Sequence, residues 1–331
     1  MNHRVKNMWQ SPGEQVSGAW EDIKMVVSHT DRFGGSGVLF FEGNDVPISP
    51  WLAGAYTFSS TERLSPLVAV NPVFMHPFQV AKFCAGFAIM HGRRTFLNMI
   101  TGTAVSYLEA LNASLPHDAR YQRLREYALV VRQLLAAHGE PVTYHGQFYH
   151  LDNAKLEVDV PDHLHPEFFI AGQSEIAKQV AHDIGACHMV MMGPNLLDDM
   201  PDGVRGMHYG IMSRPTEDEA WAAIAAMFPP DQRMQRMQAI SMTNTDGEWK
   251  KKLYESAKLT GAKRGYWMEP FANFKADRPY FVGSCEQNAS LLAGFVKRGV
   301  RRFIIDFPGW EEGYTHTAAA FALAQEMLDA A

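Results

Sequence analysis

The stretch PEFFIAGQSEIAKQVAHDIG (residues 166–185) decides the fold. It begins with a short apolar run, which is typical of a β-strand buried on both faces of a sheet. The turn Gly172-Gln173-Ser174 follows, and Ser174 and Glu175 then open a helical pattern, because serine is a favoured N-cap and an acidic residue favours the first turn. The stretch therefore predicts a strand, a tight turn and a helix in succession.

The same alternation extends outward in both directions, with longer helical patterns between short apolar runs. The runs predicted as strands are 36–43, 67–71, 95–100, 166–172, 187–192, 207–212 and 302–307, with a weaker one at 4–9. Eight strand–helix repeats predict an α/β fold, the (β/α)8 TIM barrel with lid insertions. A doubly wound open sheet is the alternative.

The length fits one enlarged barrel. The chain has 331 residues, whereas a plain barrel needs roughly 250. The surplus falls in the polar segment 139–165 and in 229–280, which is rich in Met, Lys and Gln. We therefore expect a single domain over 1–331, with these two segments as insertions at the catalytic face.

Composition excludes several classes of protein. The chain is 47% hydrophobic and 20% charged with a net charge of −6, which fits a globular enzyme and disfavours nucleic-acid binding. Its three cysteines form no C-x-x-C pair, so neither a disulfide framework nor a zinc ribbon is indicated. No secretory signal or membrane-spanning stretch is found, and we expect a cytoplasmic protein that binds neither nucleic acid nor membrane.

Two glycine-containing turns receive different interpretations. Residues 34–37 (GGSG) precede a strand, whereas the dinucleotide fingerprint follows one, so they predict a helix-to-strand turn. Residues 172–174 follow a strand and open a helix, where backbone N–H groups and the helix dipole can bind an anion. An ordinary capped turn explains residues 172–174 equally well.

The densest cluster of histidines and carboxylates does not predict a metal site. His163 and His165 lie near Asp159 and Asp162 in a proline-containing loop, without a helical i, i+4 pair. A solvated loop is the favoured interpretation, and no metal is expected.

Polar residues follow or end several predicted strands, where the chemistry of a barrel is placed. They are Asn71, the segment 98–101, Ser174 and Asp306, while His208 lies on the strand that begins near Met207. Buried polar groups cost free energy unless they are paired. Their convergence therefore predicts a polar ligand with a hydrogen-bonding ring and an anionic group.

Seven segments, in order, resemble the bacterial luciferase-like flavin monooxygenases, nearest the alkanesulfonate monooxygenase branch. The segments are helix 18–34 running into SGVLF, TERL (61–64) with LVAVNP, TFLNMITG (95–102), HDARY (117–121) with REY (125–127), YHGQFY (144–149) with AKL (154–156), PEFFIAGQSEIAKQVA (166–181), and FVGSCEQNA (281–289) with GVRRFIIDF (299–307).

The resemblance implies a TIM barrel that binds FMN as FMNH2, delivered by a separate NAD(P)H:flavin reductase. In such enzymes O2 is the co-substrate, and a flavin C4a- or N5-(hydro)peroxide inserts one oxygen atom into a small organic substrate. A homodimer or homotetramer is also implied. Two alternatives stay open: an F420-dependent hydride-transfer oxidoreductase of the same fold, and a catalytically inactive flavin-binding relative.

The resemblance also implies roles for matching residues. Asn98 would bind the isoalloxazine edge, with Thr101 at the same strand end, and His117 would lie on the ribityl or phosphate side. The phosphate would be held by Gly172, Gln173 and Ser174, assisted by Tyr121.

Departures from the family pattern concern the substrate. Residues 45–50 lack the cysteine of the sulfonate enzymes, and residues 207–210 (MHYG) replace their Arg-x-His strand. An alkanesulfonate is therefore disfavoured, and the Met-rich lid suggests a larger or more apolar substrate unless its methionines only pack lid helices. Asn71, Trp267 and Arg278 are the expected substrate contacts. His208 is the expected general acid/base, or else a supporting histidine of the core.

Overall fold

The structure, a computed structural model, describes residues 12–102, 104–191, 193–195, 197–198, 200–259, 265–306 and 310–330. The predicted weak strand at 4–9 lies outside these residues. The described chain forms two compact units. The N-terminal unit comprises residues 12–27 and 36–188, and the C-terminal unit comprises residues 28–35 and 189–330.

The N-terminal unit alternates strands with helices. Its elements are α1 (Pro12–Arg32, whose last residues belong to the other unit), β1 (Gly37–Phe40), α2 (Pro50–Ser60), β2 (Ser65–Val70), α3 (Pro77–His91), β3 (Phe96–Met99), α4 (Val105–Ala110), α5 (His117–Ala136), β4 (Val142–His145), β5 (His150–Ala154), β6 (Glu167–Ala171), α6 (Glu175–Asp183) and β7 (Cys187–Val190), which ends in the C-terminal unit.

The strands β1, β2, β3 and β6 pair in that order, all parallel. Every residue of β2 is buried, as its apolar sequence predicts for a strand covered on both faces. The register places Ala69, Asn98 and Phe169 side by side. Because parallel strands end at one edge, the residues that follow β2, β3 and β6 lie along the same edge of the sheet.

Helix ends follow the local chemistry of the sequence. The helices α2 and α3 both begin with proline after an N-cap whose side chain accepts a backbone N–H, Ser49 and His76 respectively. The helix α3 ends at Gly92, whose φ of 63° is the left-handed conformation that glycine adopts readily. Gly34, with a φ of 80°, confirms the predicted turn between α1 and β1.

The C-terminal unit is built around one long strand. Its elements, after the end of β7, are β8 (Gly206–Arg214), α7 (Glu217–Met227), α8 (Gln232–Thr243), α9 (Glu248–Leu259), β9 (Tyr266–Trp267), α10 (Glu269–Ala272), β10 (Tyr280–Ser284), α11 (Cys285–Lys297), β11 (Arg302–Asp306) and α12 (Glu311–Asp329). The strand β8 pairs in parallel with β7, β10 and β11, and β9 runs antiparallel to β10.

The structure confirms the α/β class and a mostly parallel sheet, and it adds elements that the sequence did not predict. The segment 139–165 contains the antiparallel hairpin β4–β5, and 229–280 contains helices and the short β9. The parallel strand β10 was not predicted either. A closed ring of eight strands is not detected among the pairings of the described residues. Within the same residues, no helix is both long and apolar enough to cross a membrane.

Candidate functional site

The turn between β6 and α6 has the geometry of an anion site. Ser174 is the N-cap of α6, and its hydroxyl accepts the backbone N–H of Ala177 at 3.4 Å. Gly172 has a φ of 149°, a conformation that other residues rarely adopt. Its carbonyl oxygen accepts a hydrogen bond from His188 Nε2 at 2.5 Å. No side chain at position 172 therefore covers the N-terminal end of the nine-residue helix α6, where backbone N–H groups can bind an anion.

Tyr121 lies directly against this turn. A Cβ atom on Gly172 would be 2.7 Å from the Tyr121 hydroxyl and 2.9 Å from Ala177 Cβ, so only glycine fits here. His117, the first residue of α5, packs its ring 5.0 Å from the ring of Tyr121 and makes a 2.8 Å contact with Asp118 through Nδ1. The structure thus brings His117 and Tyr121 to one side of the 172–174 turn.

A small pocket, partly open to solvent, lies beside the ends of β2 and β3. Its lining includes Asn71 and Thr101, which are 6% and 8% exposed, and two arginines of α5, Arg120 and Arg123. Asn71 Oδ1 accepts the backbone N–H of Val73 at 3.1 Å, which fixes the loop after β2. Asn71 and Thr101 thus share one pocket, which their positions at neighbouring strand ends predict.

The two pocket arginines were not singled out from the sequence, although Arg120 lies within the HDARY segment. Arg120 donates from Nη1 to the Leu115 carbonyl at 2.9 Å. Arg123 donates from Nη2 to the Pro72 carbonyl at 2.7 Å and from Nε to the Tyr149 hydroxyl at 3.1 Å. Both guanidinium groups therefore hold backbone around the pocket.

Glu126, one turn further along α5, binds the β4–β5 hairpin. Its carboxylate accepts the backbone N–H groups of Gln147, Phe148 and Tyr149 at 2.9, 2.8 and 3.3 Å. Gly146 is required in this tight approach, since a Cβ there would lie 2.3 Å from Glu126 Oε2. The hairpin tip is thereby fixed to the same helix that carries His117 and Tyr121.

Asn98 lies on β3 and is 8% exposed. It faces Ala69 on one neighbouring strand and Phe169 on the other. An amide at this position in an apolar sheet is the kind of polar group that needs a hydrogen-bonding partner. Asn98 is the second-last residue of β3, and its burial there agrees with the expected contact to a flat ring.

The C-terminal unit holds a second polar group, on β8, β10 and β11. Arg278, which is 2% exposed, places Nη1 3.1 Å from His208 Nε2 and 3.4 Å from Asp306 Oδ2. The Tyr280 hydroxyl donates to the same Asp306 oxygen at 3.0 Å. Asp306 is the last residue of β11, as predicted. Tyr280 was not predicted as a site residue.

Electrostatics in this group favour a neutral imidazole and a neutral phenol. Burial, reinforced by the Arg278 guanidinium, holds the pKa of His208 well below its ordinary value, and Asp277 opposes this only weakly. Burial and the Asp306 carboxylate raise the pKa of Tyr280 well above its ordinary value. Neither side chain carries charge at neutral pH.

Gly210 makes this arrangement possible. It lies in β8 opposite both Asp306 of β11 and Tyr280 of β10. A Cβ at position 210 would lie 2.4 Å from the Tyr280 ring. The glycine therefore leaves the room in which the phenol ring reaches across β8 toward Asp306.

Trp267 lies in an aromatic cluster rather than in this polar group. Its ring packs edge-on against Trp221 at 6.0 Å and Phe228 at 6.3 Å. The expected substrate contacts are thus divided, with Asn71 at the pocket of the N-terminal unit, Arg278 beside His208, and Trp267 against α7. The expected cofactor-binding residues all belong to the N-terminal unit, whereas His208 belongs to the C-terminal unit.

The histidine-rich loop contains hydrogen-bonded pairs. His138 Nδ1 lies 2.8 Å from Asp159 Oδ1, and His165 Nε2 lies 2.9 Å from the Val160 carbonyl. Across the described ranges, no group of three or more His, Cys, Asp or Glu side chains has an arrangement that could hold a metal ion.

The residues at the β6–α6 turn fit the phosphate of a flavin mononucleotide. A dianion at a helix N-terminus is stabilised by the dipole and by backbone N–H donors, and Ser174 adds a hydroxyl. Gly172, without a side chain, allows the backbone and the Tyr121 hydroxyl to lie close together. The donor set of this turn therefore suits a phosphomonoester.

Comparisons with known proteins place the chain in a family. Residues 1–302 match the model of the luciferase-like monooxygenase family. A relative from Niallia circulans, 4-(gamma-L-glutamylamino)butanoyl-[BtrI acyl-carrier protein] monooxygenase BtrO, is 29% identical over 308 residues, which are 89% of each chain.

Solved structures show the likeness of fold. EDTA monooxygenase from Chelativorans sp. BNC1 gives a TM-score of 0.71 at 15% identity, over 98% of this chain and 91% of that one. The oxygenating constituent of 3,6-diketocamphane monooxygenase from Pseudomonas putida, in complex with FMN, gives 0.68 at 13% identity, over 97% and 94%. An F420-dependent secondary alcohol dehydrogenase gives 0.65 at 15% identity, over 92% and 95%.

The family match spans most of the chain, and the fold neighbours include TIM-barrel flavin-dependent monooxygenases. The predicted family, fold class and enzyme class are therefore confirmed. This chain belongs to the luciferase-like monooxygenase family.

Proposed function

We propose that this chain, as one domain over 1–331, is the oxygenase component of a two-component FMNH2-dependent monooxygenase. It would insert one oxygen atom from O2 into a small organic substrate. The observation that carries the proposal is the turn at residues 172–174, where a helix N-terminus, Ser174 and the Tyr121 hydroxyl meet in a chain of this family.

The residues of the N-terminal unit would bind and orient the flavin. Ser174 and the backbone of Gly172 and Gln173 would hold its phosphate, with Tyr121 and His117 beside it. Asn98 and Thr101 would contact the ring from the strand ends. When bound, FMNH2 supplies the two electrons that activate O2, and the protein supplies orientation and exclusion of water.

A separate NAD(P)H:flavin reductase would deliver the reduced flavin. The glycine-rich segment 34–37, which could suggest a dinucleotide site, turns α1 into β1 and does not open a helix. Because no helix begins there, the segment lacks the helix N-terminus that binds the pyrophosphate of a nicotinamide cofactor.

A homodimer or homotetramer is supported by exposed large apolar side chains on α2 and α3. Leu52 on α2 and Ile89 and Met90 on α3 are 66%, 62% and 72% exposed. Burial of these side chains against a second copy would stabilise the association.

Asn71 of the N-terminal unit and Arg278 of the C-terminal unit are each candidate substrate contacts, and His208 is the candidate general acid/base. Trp267, packed on Trp221 and Phe228, would shape the part of the substrate site that the insertion 229–280 forms. Solved neighbours also include F420-dependent enzymes, so F420-dependent hydride transfer is the second candidate, and an inactive flavin-binding relative is the third.

Flavin binding to two Ser174 variants tests the phosphate site. Ser174→Asp keeps an N-cap acceptor but adds a negative charge, so we expect FMN to bind about 10²-fold more weakly through charge repulsion. Riboflavin, which lacks the phosphate, should bind the variant and the native chain alike. Ser174→Ala should weaken FMN less, and Thr216→Asp at the N-cap of α7 is the matched control. Equal loss for FMN and riboflavin would contradict the phosphate site.

Incorporation of labelled oxygen, read together with the binding of F420H2 and FMN, separates the three candidate functions. With a flavin reductase, NADH and FMN, a monooxygenase should transfer label from 18O2 into one member of a panel of small organic substrates. Binding of F420H2 with hydride transfer and no label would favour the second candidate. Tight FMN binding with neither reaction would favour the third.

A further inference from the structure

The pair Arg278–His208 fixes the chemistry that the imidazole can perform. Arg278 Nη1 lies 3.1 Å from His208 Nε2, which is hydrogen-bond distance. A guanidinium group has five N–H donors and no acceptor. His208 Nε2 must therefore accept this bond, which places the single ring proton of a neutral imidazole on Nδ1.

The supports of Arg278 keep its guanidinium in place. Its Nη1 lies 3.4 Å from Asp306 Oδ2, and the Tyr280 hydroxyl donates to that same oxygen at 3.0 Å. Arg278 is 2% exposed and Tyr280 is likewise 2% exposed, so water competes little for these bonds. The strands β8, β10 and β11 contribute His208, Tyr280 and Asp306, and Arg278 lies two residues before β10.

Charges around His208 oppose its protonation. The nearest cation is Arg278 itself, and a second positive charge 3.1 Å away would be repelled. Asp306, which could offset this, is engaged by Arg278 and Tyr280. Asp277 favours the protonated ring, but its carboxylate lies 3.8 Å from Lys250 Nζ.

Three carboxylates on the helices packed against β8 are engaged by other groups. On α12, Glu312 approaches Arg214 at 3.4 Å. On α7 and α11, Glu217 accepts from Gln287 at 2.6 Å, and Glu286 accepts from Ser284 at 3.1 Å. Each of these carboxylates is thus held by a group of its own.

We infer that Arg278 is a positioning residue that holds His208 as a neutral imidazole with its ring proton on Nδ1. This inference rests on the proposed function for its catalytic meaning, but its structural content does not. A hydrogen bond that this ring donates in the proposed reaction would come from Nδ1–H, and Nε2 would take up no proton. The expected general acid/base role is replaced by donation from a fixed tautomer.

Nitrogen-15 NMR of the histidine rings tests the inference in the intact protein. The His208 signals are identified by their absence in His208→Asn. We expect a protonated Nδ1 and an unprotonated Nε2 that stay unchanged between about pH 5 and 8, where an ordinary histidine titrates. Titration of His208 near its ordinary pKa, or a proton on Nε2, would overturn the inference.

Two variants test the part played by Arg278. In Arg278→Met the imidazole loses its cationic donor, so we expect the pKa of His208 to rise while burial continues to lower it. In Asp306→Asn the arginine remains, and His208 should keep its Nδ1–H tautomer. A His208 signal unaffected by Arg278→Met, or one that titrates in Asp306→Asn, would contradict the assignment.

The NMR outcome and the oxygenation outcome are independent. If 18O label enters no substrate, the proposed function fails while the tautomer can still be read. If label enters and native His208 titrates, the function stands and the positioning role falls. Where Arg278→Met does not fold by circular dichroism, the native spectrum and Asp306→Asn decide.

Discussion

The hydroxyl of Tyr121 lies 2.7 Å from the point where a Cβ atom on Gly172 would be. The Tyr121 side chain, which α5 carries, and the backbone of the β6–α6 turn are thus too close for a methyl group to fit between them. This relationship fixes the separation between a phenol hydroxyl and the N-terminal end of α6, the two features on which the flavin site depends.

Gly172→Ala should destabilise the protein by about 1–3 kcal/mol, because the added Cβ meets Tyr121 and Ala177 and alanine disfavours a φ of 149°. FMN affinity should fall with it. Equilibrium urea denaturation measures the first effect and fluorescence titration the second. The double variant Tyr121→Phe/Gly172→Ala should recover part of the loss, and strictly additive effects would show that the contact is not the cause.

Glu126→Gln should lower the free energy of unfolding by about 2 kcal/mol. The carboxylate accepts three backbone N–H groups from the hairpin tip, and charged acceptors make stronger bonds than neutral ones. Urea denaturation gives the magnitude, and amide exchange at residues 147–149 should accelerate. Glu175→Gln, whose carboxylate is 89% exposed, is the matched control and should cost less than about 1 kcal/mol.

The free energy of unfolding should fall as the pH is lowered below about 6.5, the ordinary histidine pKa, because of His208. Its pKa is lowered in the folded protein, so below 6.5 the unfolded chain takes up a proton that the folded protein does not. The slope from this residue reaches about 1.4 kcal/mol per pH unit. Denaturation of native protein and His208→Asn across this range isolates the contribution, and identical slopes would exclude it.

The three cysteines should differ in reactivity. Burial raises the pKa of Cys84 to about 12, and the residue is 2% exposed. Burial also raises the pKa of Cys285, which is 9% exposed, whereas Cys187 is only partly buried. Alkylation with iodoacetamide at pH 8, read by peptide mass spectrometry, should modify Cys187 first, Cys285 more slowly and Cys84 only after unfolding. Early labelling of Cys84 would contradict its burial.

Features decided by neighbouring residues were predictable from the sequence. The N-cap at Ser174, the turn at Gly34 and the strand end at Asp306 depend on a few consecutive side chains, and all three are present. The hairpin β4–β5 was not predicted. Each of its two strands has a single buried residue, Val142 and Leu151, so the apolar alternation of a strand is too weak to detect.

The contacts of the candidate site depend on strand pairing, so patterns among neighbouring residues could not predict them. His208 and Arg278 are 70 positions apart and meet only because β8 pairs with β10. That pairing, together with the pairing of β8 with β11, carries Tyr280 to Asp306. Trp267 was chosen as a ligand contact from composition, whereas its position depends on packing against Trp221, which the sequence does not specify.

Gly210 sets a rule for how this protein and its relatives can diverge. Because the Tyr280 ring occupies the space that a Cβ at position 210 would need, the two positions cannot vary independently. Relatives that carry any side chain at the position of Gly210 should also carry a residue smaller than tyrosine opposite it. Such a pair of changes would remove the phenol that donates to Asp306, so Arg278 would then be the neighbour that remains for this carboxylate.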